Sequence, residues 1–136
     1  MNRDVKFRAF VRNYMVDVVS IDFANKYIMW DDNQYDRCLP PNKLFETESF
    51  DSIKLMQFTG LLDKNGNEIY SGDIVRCSYG AGKVIYHCGC FMVEWIDDDG
   101  ADMEFLFSHD GRRKRQDGYE FEVIGNIYEN PELLNK

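Results

Sequence analysis

His87-Cys88-Gly89-Cys90, with Cys77 upstream, is the densest group of metal-ligating side chains in this chain. Zinc asks for four thiolate or imidazole donors at the corners of a tetrahedron. Cys88 and Cys90 share a face only if the chain stays extended, and Gly89 between them favours a turn. Neither a Cys-x-x-Cys pair nor a second distal knuckle accompanies them. Cys77, His87, Cys88 and Cys90 are therefore a weak zinc alternative beside the plainer reading of small buried or turn cysteines. No metal and no cofactor is expected.

The other chemistry-bearing groups also have plain readings. Asp97-Asp98-Asp99-Gly100-Ala101-Asp102 looks like a calcium loop until its positions are counted. The glycine position falls on Asp102 and the bidentate glutamate position on Ser108, so the EF-hand pattern is excluded. Arg112-Arg113-Lys114-Arg115 is the one basic cluster, and Tyr119 beside it could stack on a base. Four cations next to an acidic stretch read first as a solvated loop. His87 and His109 are the only histidines and lie in no nucleophile motif. Asp63 and Asp73 sit at turns, where their carboxylates cap backbone N–H groups. Gly80-Ala81-Gly82 has no helix or lysine behind it to cradle a phosphate. No catalytic residue is expected.

Composition narrows the class further. The chain has 136 residues, 44% hydrophobic and 15% aromatic, enough for a packed core. No apolar run approaches the ~20 residues of a membrane span. The first residues hold no signal-peptide core. A cytoplasmic protein is expected, with Cys38, Cys77, Cys88 and Cys90 as reduced thiols. A net charge of −8 opposes attraction to nucleic acid or anionic membrane and favours basic protein partners.

The elements that must position these groups are short strands. Val5, Phe7, Ala9 and Val11 alternate with Lys6, Arg8, Phe10 and Arg12, and Val19, Ile21 and Phe23 with Ser20 and Asp22, the period of a half-buried strand. Asn25-Lys26 turns the chain into Tyr27 to Trp30. Asp31 to Lys43, with Pro40-Pro41, reads as a loop. Leu44 to Ser52 stays open between a short strand and a helical turn. Ile53 to Phe58 is a strand, and Asp63-Lys64-Asn65-Gly66 suits a tight hairpin turn, type I′ if both Asn65 and Gly66 take positive φ. Ile74 to Cys77, Lys83 to His87, Phe91 to Trp95, Phe105 to Phe107 and Tyr119 to Val123 follow as strands. Asp97 to Glu104 reads as an exposed acidic connection. Asn130-Pro131 caps a brief terminal helical turn. No window of helical period reaches the ~10–12 residues of a helix.

The expected fold is mainly β: an N-terminal β-meander packed on a C-terminal small barrel like that of Src-homology-3 domains. The expected division is residues 1–58 and 59–136, with one compact unit as the alternative.

The stretch from Leu55 to Val75, Leu-Met-Gln-Phe-Thr-Gly-Leu-Leu-Asp-Lys-Asn-Gly-Asn-Glu-Ile-Tyr-Ser-Gly-Asp-Ile-Val, resembles the YopX family. Lys6 to Phe10, Gly89 to Glu94 and Phe121 to Leu134 extend the resemblance in the expected order over most of the chain. Such proteins occur mainly in bacteriophages and prophages of Gram-positive bacteria. The resemblance implies that origin and assigns no reaction. It also makes Gly89-Cys90-Phe91 part of a strand core.

The function expected is a non-enzymatic protein–protein interaction module whose partner is a host or phage protein, with a homo-oligomer left open. Tyr79, Tyr86, Trp95 and Tyr119 are the candidate contact aromatics. The alternative is a nucleic-acid-binding protein using Arg112, Arg113, Lys114 and Arg115. An enzyme on a barrel scaffold ranks third.

Overall fold

The computed structural model describes residues 4–31, 45–77, 80–97, 100–106 and 121–134. Strands dominate, every paired neighbour is antiparallel, and the chain divides into two compact units, Lys6–Gln57 and Phe58–Lys136 with Met1–Val5. Among the described residues the only helical segments are two single 3₁₀ turns.

The unit Lys6–Gln57 is a meander. β1 (Phe7–Val11) turns through Arg12 and Asn13, at φ 50° and 73°, into β2 (Tyr14–Asp22). Two consecutive positive φ values match the type I′ hairpin, whose twist suits the flanking strands. β3 (Tyr27–Asp31) follows a turn in which the Asp22 carboxylate accepts from the backbone and side-chain nitrogens of Asn25. β4 is Phe45–Ser49, and β5 (Ile53–Leu62) leads out of the unit. The pairing order is β4-β3-β2-β1-β5. Leu44 to Ser52, read two ways in the sequence, holds both elements: β4 and a 3₁₀ turn, Phe50–Ser52, which the Ser49 hydroxyl caps by accepting from Asp51 N–H.

Ala9, Val11, Val16, Ile28, Trp30 and Ile53 form this unit's buried cluster, with Val18, Ile21 and Phe50 against it. Of the expected inward set Val19, Ile21 and Phe23, only Ile21 packs on the core. The β2–β3 register shifts between Val18 and Ser20, placing one extra residue on β2. A bulge of this kind resets the period of two. Val18 and Ile21 then face the core, while Val19 is exposed. Arg12, from the β1–β2 turn, closes an ion pair on the buried carboxylate of Glu48 in β4.

The second unit begins within β5. Residues Ile53 to Gln57 pair with β1, whereas Phe58 and Leu62 pair with β6 (Glu68–Tyr70). β7 (Asp73–Cys77), β8 (Gly80–His87), β9 (Cys90–Asp97), β10 (Gly100–Phe105) and β11 (Glu122–Asn126) form a sheet ordered β10-β9-β8-β7-β11. Its core is Ile69, Val75, Val84, Phe91, Val93, Leu106 and Phe121. The terminal 3₁₀ turn, Pro131–Leu134, begins at Asn130, whose carbonyl accepts from Leu133 N–H.

Two expectations need correction. The barrel does not close among the described residues: β10 and β11 stand at opposite ends of the sheet. Closure requires every edge to find a partner. Here the strand pairing at the start of the expected barrel is spent within the β5–β6 hairpin. The acidic connection is also shorter than expected, because Gly100 to Phe105 is a strand paired with β9. Its acids hid the strand signal; charged residues are frequent on edge strands, where they discourage pairing with other chains.

Candidate functional site

The distinctive stretch from Leu55 to Val75 folds into turns held by its own polar groups. Asp63 is 4% exposed, yet its carboxylate accepts from the N–H groups of Asn65 (2.9 Å), Asn67 (2.8 Å) and Val123 (2.9 Å). The last bond joins the β5–β6 turn to β11, 60 residues away in sequence. Burial by itself would raise the Asp63 pKa. The donated N–H groups outweigh it, and the carboxyl titrates below its ordinary value.

The turn itself is not type I′. Gly66 lies at φ 86°, but Asn65 is not among the non-glycine residues at positive φ. Gly66 N–H donates to Asp63 O at 3.1 Å, and Asp63 N–H donates to Asn67 O at 2.8 Å. This is the three-residue loop with a left-handed final residue. The Asp63 side chain explains the difference, since it holds Asn65 N–H in an Asx-type turn that favours ordinary φ there.

Thr59 and Asp73 are used similarly. The buried Thr59 hydroxyl donates to Ile69 O at 2.8 Å and accepts from Leu61 N–H at 3.2 Å, across the irregular β5–β6 pairing. Asp73, fully buried, accepts from Tyr70 N–H at 2.7 Å. The turn acids are thus engaged with backbone, as their positions predict. Above them, Arg76 (3.3 Å) and Lys64 (3.5 Å) both reach Glu122 Oε2, and these cations hold its carboxyl below the usual range.

The cysteine group lies at a hairpin tip. Cys88 (φ 52°) and Gly89 (φ 84°) form the β8–β9 turn, with His87 paired to Cys90. This is the second type I′ geometry among the described residues. His87 and Cys88 are exposed, and Cys90 Sγ donates weakly to His87 O at 3.5 Å. Cys77 pairs with Gly80 at the opposite end of β8. Seven residue steps at ~3.3 Å per residue put it ~23 Å from His87. Cys77 therefore cannot join His87, Cys88 and Cys90 around one ion, and the four-residue zinc alternative fails on distance. Among the described residues no group of three or more His, Cys, Asp or Glu side chains is placed to hold a metal.

The candidate aromatics separate. Tyr86, 63% exposed, meets Phe91 edge-to-face with ring centroids 5.1 Å apart. The two are direct cross-strand partners, so a buried ring packs against an exposed one beside the two-residue turn. Trp95 is half-buried against the core and lies 6.2 Å from Phe121, nearly parallel to it. A Cβ on Gly82 would come within 2.8 Å of Trp95 Cε3, so the missing side chain makes room for the indole. Trp95 is a part-buried residue packed against the core. Tyr79, Tyr119, Arg112, Arg113, Lys114 and Arg115 lie outside the described residues.

One exposed aromatic escaped the sequence reading. Phe23 is 73% exposed on the β2–β3 turn and packs edge-to-face on Phe50 at 6.2 Å. Strict alternation assigned it to the core. Its place next to the Asn25-Lys26 turn was the available clue, because a ring at a hairpin tip projects past the sheet. No helix among the described residues is long and apolar enough to cross a membrane.

Comparison with known proteins agrees with this architecture. The crystal structure of protein EF1440 from Enterococcus faecalis is similar, with a TM-score of 0.62 and 27% sequence identity, covering 98% of this chain and 100% of that one. No curated protein matches significantly. The family model described as YopX protein matches residues 6–135, nearly the whole length, and the chain belongs to the YopX family.

Proposed function

We propose that this protein is a non-enzymatic protein–protein interaction module of phage or prophage origin, acting in the cytoplasm of a bacterial host. The observation that carries this reading is Tyr86, a large exposed ring buttressed by Phe91 beside the β8–β9 turn. Tyrosine presented at low entropy cost is a favoured contact residue. The engagement of Asp63, Asp73 and Thr59 with backbone supports the same reading, since those polar groups are committed to holding turns. The net charge of −8 favours a basic partner, a host or phage protein.

The test is capture from lysate of the host, with and without nuclease, using the wild type and Tyr86→Ser. A single basic protein retained by the wild type and lost with the variant is the expected result, and a hot-spot ring is worth ~2 kcal/mol or more. Equal retention by both proteins would remove Tyr86 from the interface. Nucleic acid retained until nuclease treatment would replace the protein-partner reading with one using Arg112 to Arg115.

A further inference from the structure

We propose that Asn65 is a site of spontaneous amide loss, converting to aspartate and isoaspartate in the folded protein and loosening the turn that Asp63 ties to β11. Asn65-Gly66 is the one Asn-Gly pair in the sequence. Both residues are exposed, and the space where a Gly66 side chain would stand is open for 4 Å. A glycine nitrogen is the least hindered backbone nucleophile, because no Cβ shields it.

The other described asparagines supply the contrast. Asn25 donates its carboxamide to Asp22, Asn67 donates to Asp63, and Asn126 donates to Glu129. Asn130 accepts from Asn126 N–H, and Pro131 after it has no N–H. Asn13 precedes Tyr14, whose side chain crowds the approach. The Asn65 carboxamide has no partner among the described residues; only its backbone N–H is held, by Asp63. The remaining restraint is the bond from Gly66 N–H to Asp63 O, 3.1 Å long and at the solvent-exposed turn.

The chemistry balances with water alone. The Gly66 backbone nitrogen attacks Cγ of Asn65, forming the N–Cγ bond as its proton passes to solvent base. The Cγ–Nδ2 bond breaks and ammonia leaves, giving a cyclic imide. Water then opens either imide carbonyl, yielding aspartate or isoaspartate. Isoaspartate routes the main chain through Cβ and lengthens the loop between Asp63 and Asn67. Those residues exchange the bonds that set the clamp, Asp63 N–H to Asn67 O and Asn67 N–H to Asp63 Oδ1. The new charge also lies beside the Asp63 carboxylate.

The experiment ages the intact native protein at mildly alkaline pH and physiological temperature, beside Asn65→Ser, Asn65→Asp and the wild type unfolded in urea. Peptide mapping, isoelectric focusing and isoaspartyl methylation report the product. A more acidic species is expected in the native wild type, faster as pH rises, mapped to residue 65 and absent from Asn65→Ser. The aged fraction should unfold at lower temperature than Asn65→Asp, which carries the charge without the lengthened backbone. Absence of the acidic species from the native protein, its mapping to another asparagine, or its formation in urea alone would overturn the site. An aged midpoint equal to that of Asn65→Asp would overturn the loosening.

Discussion

Asp63 holds three backbone N–H groups with one nearly inaccessible carboxylate, and its removal should be felt at once. Asp63→Ala leaves those donors unanswered at a cost of about 2–3 kcal/mol in urea denaturation. Asp63→Asn retains one acceptor oxygen and should lose less. The pH dependence follows from the lowered pKa. A carboxyl whose folded pKa lies below its unfolded value stabilises fully above the unfolded pKa, about 4. That contribution disappears as pH falls through the folded value. Wild-type stability should therefore decline below pH ~4, and the decline should be shallower in Asp63→Asn. Parallel acid curves for the two proteins would refute the assignment.

Turns and close strand crossings make different demands on glycine. Gly66 has open space around it, so Gly66→Val costs only the strain of a positive φ, about 1–2 kcal/mol. Gly66→Asn, which tolerates that conformation, should recover most of it. Gly82 is the opposite case. A Cβ there would meet Glu94 O, Trp95 Cε3 and Val93 Cγ1 at 2.8 Å, so Gly82→Ala should cost about 1–3 kcal/mol through overpacking. Its near-ultraviolet dichroism should change with the displaced indole, whereas that of Gly66→Val should not. Cys88 occupies a left-handed position that asparagine fills better, so Cys88→Asn should raise stability by about 0.5–1 kcal/mol. A lower thermal midpoint for Cys88→Asn would contradict the type I′ assignment.

At the scale of the molecule, charge sets the long-range behaviour. A body of −8 repels polyanions, and four cations release at most about four counterions at ~0.15 M salt. No saturable binding to single- or double-stranded DNA is expected at that salt, and replacing Arg112 to Arg115 by serine should leave the thermal transition unchanged. Micromolar binding that weakens steeply with salt would reverse this. Chelation should likewise leave the transition unmoved, because Cys77 lies too far from His87 and Cys90 to complete a zinc tetrahedron; one zinc held per chain, with unfolding on its removal, would overturn that expectation.

Local physics made much of this protein legible in its sequence. Period-two alternation marked β1, Asn25-Lys26 marked the turn into β3, and turn acids at Asp63 and Asp73 announced backbone capping. The family showed in the residues from Leu55 to Val75 because each turn there requires a particular residue type. Tertiary structure decided the rest. A bulge at Val18 to Ser20 put Val19 out of phase with Ile21, since a period of two has no memory of an inserted residue, and Phe23 fell past the end of β2 onto the turn. The Asp63 carboxylate that shapes the three-residue loop through Asn65 N–H also binds Val123, a partner 60 residues distant that no local pattern announces. Tyr86 and Trp95, alike as aromatics on neighbouring strands, parted because one stands beside a turn and the other opposite a glycine. Which ring is offered to solvent depends on what the facing strand places beneath it, and residue type alone carries no record of that neighbour.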